Sequence, residues 1–390
     1  MIAEENGHSI ELRPFQVEID DTVLDDLRGR LERTRWVEDL PGSGWDYGVA
    51  VAYLQELCEY WRTAFDWRAA EARLNTFPQY VADIDGLGIH FLHVRSPEPD
   101  ALPLILTHGW PGSVAEFLDV LGPLSDPAAH GGDRADAFNV VVPSLPGFGF
   151  SGPSSCRGVT DRRVAQAFAE LMGRLGYERY VAQGGDIGAQ ISALLGELDA
   201  GHVAAVHLNL LPIGPPADRD PFAGLSAEDA ALAQSTLAFL DSDTGYWKIQ
   251  GTRPHTVGSA LMDSPAGLAG WIVDKFRSWT DCDGDVERAF TKDQLLMNIT
   301  IYWVTRTIAS SARWYYENAG VGGQSEPPRV EVPTGYADFP GEHYRMPLAW
   351  ARPRINIVHV SSMPRGGHFA ALQVPDLFVD ELRTFFRAFR

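Results

Sequence analysis

The chain has 390 residues, of which 45% are hydrophobic and 22% charged, enough apolar content for a large globular core. Its 52 acidic against 32 basic residues give a formal charge of −20, and a surface of that sign repels phosphate backbones and anionic headgroups, which disfavours nucleic acid and lipid as partners. No run approaches the roughly 18 apolar residues that a membrane span needs.

The start, Met1 to Ile19, lacks the basic and apolar regions of a signal peptide. Cys58, Cys156 and Cys282 are scattered, odd in number and without metal-like spacing. A reduced, cytoplasmic protein is expected. Residues 1–80 read as a helical segment packed on something larger. In it Val23, Leu24, Leu27 and Leu31 recur on one face after Asp20, Asp21 and Thr22, which are good N-cap types. A second amphipathic run spans Val49 to Phe65.

From Ile89 the texture changes to short β-rich runs: Ile89–Val94, Leu102–Thr107, Phe138–Ser144, Tyr180–Gln183 and Val203–Leu211. Between them a helix is expected from Asp161 to Leu175, stopped by Gly176. Alternating strands and helices predict an α/β fold with a mostly parallel, doubly wound sheet. Residues 212–326 turn helical and aromatic, with Trp247, Trp271, Phe276, Trp279, Tyr302, Trp303 and Trp314, and are expected to form a lid. Strands resume at Val330–Thr334 and Ile355–Val360, before a last helix from Pro375. The core is therefore assigned to residues 81–211 and 327–390, with its ligand at the C-terminal edge of the sheet.

The central motif is Gln183-Gly-Gly-Asp186-Ile-Gly188, between a strand and the helical pattern Ala189–Leu198. It has the form of the G-x-S-x-G nucleophile elbow with aspartate in the serine position. A carboxylate at a helix N-terminus is favoured electrostatically, and it needs no base to attack. A plain helix N-cap fits the same residues. His108-Gly-Trp-Pro-Gly-Ser113 follows its strand where the fold builds an oxyanion hole from the N–H groups of Trp110 and Ile187. A Gly-Pro turn that only ends a strand fits equally well. His368, in Gly366-Gly-His-Phe369, lies on a glycine-rich loop beyond the last strand, the chain position of the base in this fold. The acid should precede it, and spacing leaves Asp338 and Glu342 open. Gly147-Phe-Gly149-Phe-Ser-Gly152 matches a dinucleotide fingerprint literally but opens no helix. Asn298-Ile-Thr300 matches a glycosylation sequon, read as chance.

Taken together these pieces resemble the epoxide hydrolases of the α/β-hydrolase fold, specifically the microsomal and juvenile-hormone branch with its bacterial relatives. Nearly the whole chain takes part: Arg13-Pro-Phe-Gln16, Trp67 through Val94, His108–Ser113, Pro143–Ser151, Thr256–Pro265, Val332–Gly335 and Arg365–Ala371. The resemblance implies that Asp186 is the nucleophile, His368 the base and Glu342 the acid. It implies that Tyr246 and Tyr315 donate hydrogen bonds to the epoxide oxygen, with Tyr316 as the register rival. Trp110, Pro111, Ile187 and Phe369 are expected to line the substrate pocket. The family commonly has Trp after the nucleophile where this chain has Ile187, and the membrane-anchored relatives' N-terminal helix is absent. The implied partners are a bulky apolar epoxide and water, with no cofactor or metal, and a homodimer stays open. A haloalkane dehalogenase and a non-catalytic binding protein on the same fold are the competing functions.

Overall fold

The computed structural model describes residues 12–216, 218–318 and 327–390, so the reading of residues 1–11 and the end of the expected lid lie outside it. Strand β1 (Arg13–Phe15) is followed by helices α1 (Asp21–Glu32), α2 (Val51–Thr63) and α3 (Trp67–Leu74). Asp20 caps α1 by accepting from Thr22 N, and Asp66 caps α3 by accepting from Ala69 N, each such cap being worth about 1 kcal/mol. Leu24, Leu27 and Leu31 are the buried stripe of α1, as their spacing predicts.

Next come β2 (Gln79–Ile84), β3 (Leu87–Val94), β4 (Leu102–Thr107), α4 (Leu118–Ser125), β5 (Phe138–Pro143), α5 (Asp161–Arg174), β6 (Tyr180–Gly184), α6 (Ile187–Leu198) and β7 (Val203–Leu208). Gly149–Ser151 forms only a short 3-10 turn, and no helix opens before Asp161. Six helices then run without a described strand between them: α7 (Ala227–Ser242), α8 (Gly245–Thr252), α9 (Pro254–Asp263), α10 (Pro265–Ser278), α11 (Lys292–Thr305) and α12 (Ile308–Asn318). The chain ends with β8 (Val330–Asp338), α13 (Leu348–Ala351), β9 (Ile355–Ser362), α14 (Ala370–Gln373) and α15 (Pro375–Phe386).

Among the described residues nine strands form one sheet in the order β1-β2-β3-β5-β4-β6-β7-β8-β9, with pairing from β5 to β9 parallel throughout. The expectation of helix alone over residues 1–80 needs correction. β1 pairs antiparallel with β2, and β2 antiparallel with β3, which extends the sheet, and the Asp85-Gly86 turn that joins β2 to β3 has both residues at positive φ. Successive core strand residues face opposite layers: Leu104 and Leu106 pack with α4 and α15, whereas Ile105 packs with Val164, Phe168 and Ile191 of α5 and α6. Both faces are thus covered, as a parallel sheet requires. Among the described residues no helix is long and apolar enough to cross a membrane.

β4 and β6 are neighbours whose following connections run to opposite sides of the sheet, β4 to β5 and β6 to β7. Their C-terminal ends therefore flank a crevice at a topological switch point, the place where open α/β sheets bind ligands. At this point α6 crosses so close to β4 that a Cβ on Gly188 would lie 1.9 Å from the Thr107 carbonyl oxygen. Gly188→Ala should lower stability by about 3 kcal/mol or more, because the obstructing atom is backbone and cannot rotate away. The urea midpoint checks this; an unchanged midpoint would contradict the close approach.

Candidate active site

The turn from β6 into α6 holds Asp186 at φ 52°, ψ −126°, a backbone region that a non-glycine residue occupies at a cost on the order of 1–3 kcal/mol. The surrounding contacts over-determine it. Gly109 comes so near that a Cβ there would sit 2.2 Å from Asp186 Oδ1. The Trp110 N–H donates to that same oxygen at 2.8 Å. Ile187 is the first residue of α6, so its amide is among those with no partner inside the helix.

Helix α11 and the His108–Ser113 loop are tied together around this carboxylate. Asn298, in α11, donates to Pro111 O at 2.8 Å and accepts from the Ser113 hydroxyl at 2.8 Å, and Tyr302 donates to Gly112 O at 2.7 Å. The sequon asparagine is therefore buried, fixing the His108–Ser113 loop.

His368 arrives from the other side, its backbone N–H donating to Trp279 O at 2.9 Å. Its Nδ1 donates to both carboxylate oxygens of Glu342, at 2.9 and 3.1 Å, and its Nε2 lies 3.6 Å from Asp186 Oδ2, a charge contact rather than a hydrogen bond. Burial alone would lower the His368 pKa, but Glu342, with help from Asp186, outweighs it and holds the imidazole up at about 9. Burial likewise disfavours a charged Glu342, yet His368 and His343 hold it well below the usual carboxylate range. Asp338, the other candidate acid, is committed elsewhere: both its oxygens accept from Arg345, at 2.7 and 2.6 Å.

Tyr246 of α8 and Tyr315 of α12 meet above Asp186 with ring centroids 5.8 Å apart and nearly perpendicular. Burial first, and with it the Asp186 charge, pushes both hydroxyls well above the ordinary phenol value, so they remain O–H donors; the contact between the two phenols raises Tyr315 and lowers Tyr246. Trp110 stacks flat on Tyr246 at 5.2 Å and meets Tyr315 edge-on at 5.7 Å. The Lys275 ammonium lies 5.1 Å from the Tyr246 ring centre, a cation–π contact that holds the ring from its other side.

A cavity of ≈ 610 Å³ opens over the carboxylate, lined by Asp186, Ile187, Leu210, Ile213, Phe239, Tyr246, Trp247, Trp314 and Tyr315 among others. Tyr315 faces it and Tyr316 does not. Of the expected pocket residues only Ile187 is on its wall. Pro111 must be corrected, since it lines no cavity here and serves as backbone acceptor for Asn298; Trp110, packed under Tyr246 and Tyr315, and Phe369, stacked on Phe276 at 4.0 Å, line only a much smaller cavity beside Asp186.

Four functional neighbours escaped the sequence reading. Asn298 was set aside with its sequon. Lys275 gives no signal among other lid lysines. His343, adjacent to Glu342, stacks on Trp279 at 4.3 Å and sits 3.0 Å from Glu342 Oε1 without the alignment of a hydrogen bond. Glu116, one helical turn beyond Gly112, presses its carboxylate against that glycine. Among the described residues Glu342, His343 and His368 bring ligand atoms within 4.8 Å of one another. The hydrogen bonds of His368 Nδ1 already engage both Glu342 oxygens, so the donor set is that of an acid–base pair rather than a metal centre.

Two family models match, "Epoxide hydrolase N terminus" over residues 12–117 and "alpha/beta hydrolase fold" over residues 103–244. The chain is an enzyme of the α/β-hydrolase fold. It belongs to the epoxide hydrolase family: Epoxide hydrolase 1 of Sus scrofa is 39% identical over 96% of this chain and 88% of that one. A relative from Stigmatella aurantiaca that carries the epoxide hydrolase name provisionally is 48% identical over 97% of this chain and 86% of that one. The crystal structure of juvenile hormone epoxide hydrolase from Bombyx mori superimposes with a TM-score of 0.88 at 31% identity, covering 98% of this chain and 95% of that one.

Because Tyr315 faces the cavity and Tyr316 does not, Tyr315→Phe should slow epoxide opening on the order of 10²-fold, with Tyr316→Phe near wild type. Stopped-flow kinetics of both variants decides it. A damaging Tyr316→Phe beside a silent Tyr315→Phe would move the role by one residue.

Proposed function

We propose that this enzyme converts a bulky, apolar epoxide to a vicinal diol through an ester on Asp186. The observation that carries this is one carboxylate shared by two environments: the floor of an aromatic cavity beneath two phenols, and the reach of a histidine held by a buried acid. A cavity of this size and lining suits a drug-sized apolar ligand.

In the first step Asp186 Oδ2 attacks an epoxide carbon while Tyr246 and Tyr315 donate to the oxygen as the C–O bond breaks. Oδ1, held by the Trp110 N–H, becomes the ester carbonyl oxygen. Ester formation removes the Asp186 charge, one of the influences that raise the His368 pKa, so the imidazole gives up its proton more readily. That proton balances the one the alkoxide gains. Neutral His368, oriented by Glu342, then takes a proton from water as the water attacks the ester carbonyl, and the oxyanion is held by the N–H groups of Trp110 and Ile187. Collapse of the tetrahedral species expels the diol oxygen, which takes the proton back from His368, and the regenerated Asp186 carboxyl passes its own proton to the imidazole, restoring the starting state.

A dehalogenase would use a halide cradle beside the nucleophile, and Ile187 has no indole N–H to supply it. A binding protein would have no use for nucleophile, base and acid together. Residues 212–326 act as the lid in this account, with residues 1–80 bracing both core and lid. Three free thiols, two of them buried, suit a reducing cytoplasm.

Diol formation across a panel of aryl and alkyl epoxides should favour the bulky aryl members. His368→Gln should form the ester and fail to hydrolyse it, so intact-mass spectrometry should find a stable adduct. A variant that stays unmodified and still turns over would refute the assignment of the base.

A further inference from the structure

A second, much smaller cavity lies on the other side of the Asp186 carboxylate. Its volume is ≈ 20 Å³, enough for one water, and among the described residues Asp186 is the one that lines both it and the large cavity. Thr107, Glu116, Gln183 and His368 contribute to its wall. Thr107 Oγ1 and Gln183 Oε1 are buried there with no hydrogen-bond partner in the protein. Orphaned polar atoms around a water-sized space are how a protein binds an ordered water.

Glu116 is placed by an unusual fit. Its Oε1 occupies the space over Gly112, where a Cβ would fall only 1.5 Å from it, so the glycine of the His108–Ser113 loop clears room for this carboxyl group. The geometry points to the small cavity as the seat of the hydrolytic water, with Glu116 holding that water for attack on the Asp186 ester. Resting on the assignment of Asp186 as nucleophile and His368 as base, it adds where the water sits and what orients it. The alkyl group of the ester occupies the large cavity, so the carbonyl face toward the small one is open. One water proton goes to His368 Nε2 and the other hydrogen-bonds to Glu116, leaving the oxygen lone pair for the carbonyl carbon.

Burial pushes the Glu116 carboxyl up to about 8, with His368 opposing and the Asp186 charge adding to it. Ser113 supports the carboxyl from below through its backbone N–H.

The test is rapid-quench intact-mass spectrometry with styrene oxide, reading ester formation and ester breakdown separately in wild type, Glu116→Gln and Thr107→Val. Glu116→Gln should slow breakdown on the order of 10- to 10²-fold and leave formation within about threefold, so the ester accumulates. Thr107→Val, which alters no charge, should slow breakdown roughly fivefold by removing one water contact. Breakdown at the wild-type rate in both variants, or equal slowing of both steps, would overturn the water site while leaving Asp186 in place. A wild-type enzyme that turns over with no ester would overturn the nucleophile assignment and the water site with it.

Discussion

The close approach of β4 and β6 at their C-terminal ends is the constraint on which the site depends. Because Gly188 lets α6 ride against the Thr107 carbonyl, Asp186 is lifted onto a strained turn, and because Gly109 lacks a side chain, the His108–Ser113 loop can fold over the carboxylate. The Trp110 N–H bond then fixes one oxygen and leaves the other facing His368. Strain of a few kcal/mol persists here because backbone on both sides allows no other position. A carboxylate so fixed has little orientational freedom left to lose in attacking a bound substrate.

The helices α8 to α12 and the sheet are coupled through the same loop. Asn298 and Tyr302 bond to its backbone and side chains, and Trp279 O receives the His368 N–H. The helices that carry the two phenols are thus held in register with the Asp186 carboxylate beneath them. The aromatic stack of Trp110 on Tyr246, backed by Lys275, sets the height of one phenol. The buried charges are balanced pairwise: Glu342 against His368, and Asp338 against Arg345 just outside. A buried carboxylate without such a partner would have to take up a proton.

Much of this was legible in the sequence because it rests on local chemistry. The elbow motif, the His108–Ser113 loop and the glycine-rich loop around His368 each carry their own turn requirements, and the parallel core strands are continuous apolar runs. What could not be read depended on three-dimensional company. β1 is only three residues long, and β2 is a mixed run with Asp83 next to its end, so neither has a clear period, although the Asp85-Gly86 pair was an unused hairpin signal. Asp338 and Glu342 look alike in a loop, and only the packing of Arg345 against one and His368 against the other separates them. Trp110 and Phe369 flank the catalytic positions in sequence, yet their rings pack away from the large cavity, because neighbours along a turn point in different directions. Glu116 lies outside every motif, and its significance comes from the space over Gly112.

The most direct test of the account is a single turnover in ¹⁸O-water with enzyme in excess over epoxide. If Asp186 attacks carbon, the new oxygen of the diol comes from the protein, so the first-turnover diol should be unlabelled and the label should appear on the peptide that contains Asp186. Labelled diol in that first turnover, with an unlabelled peptide, would mean that water attacks the epoxide directly and would contradict the ester mechanism.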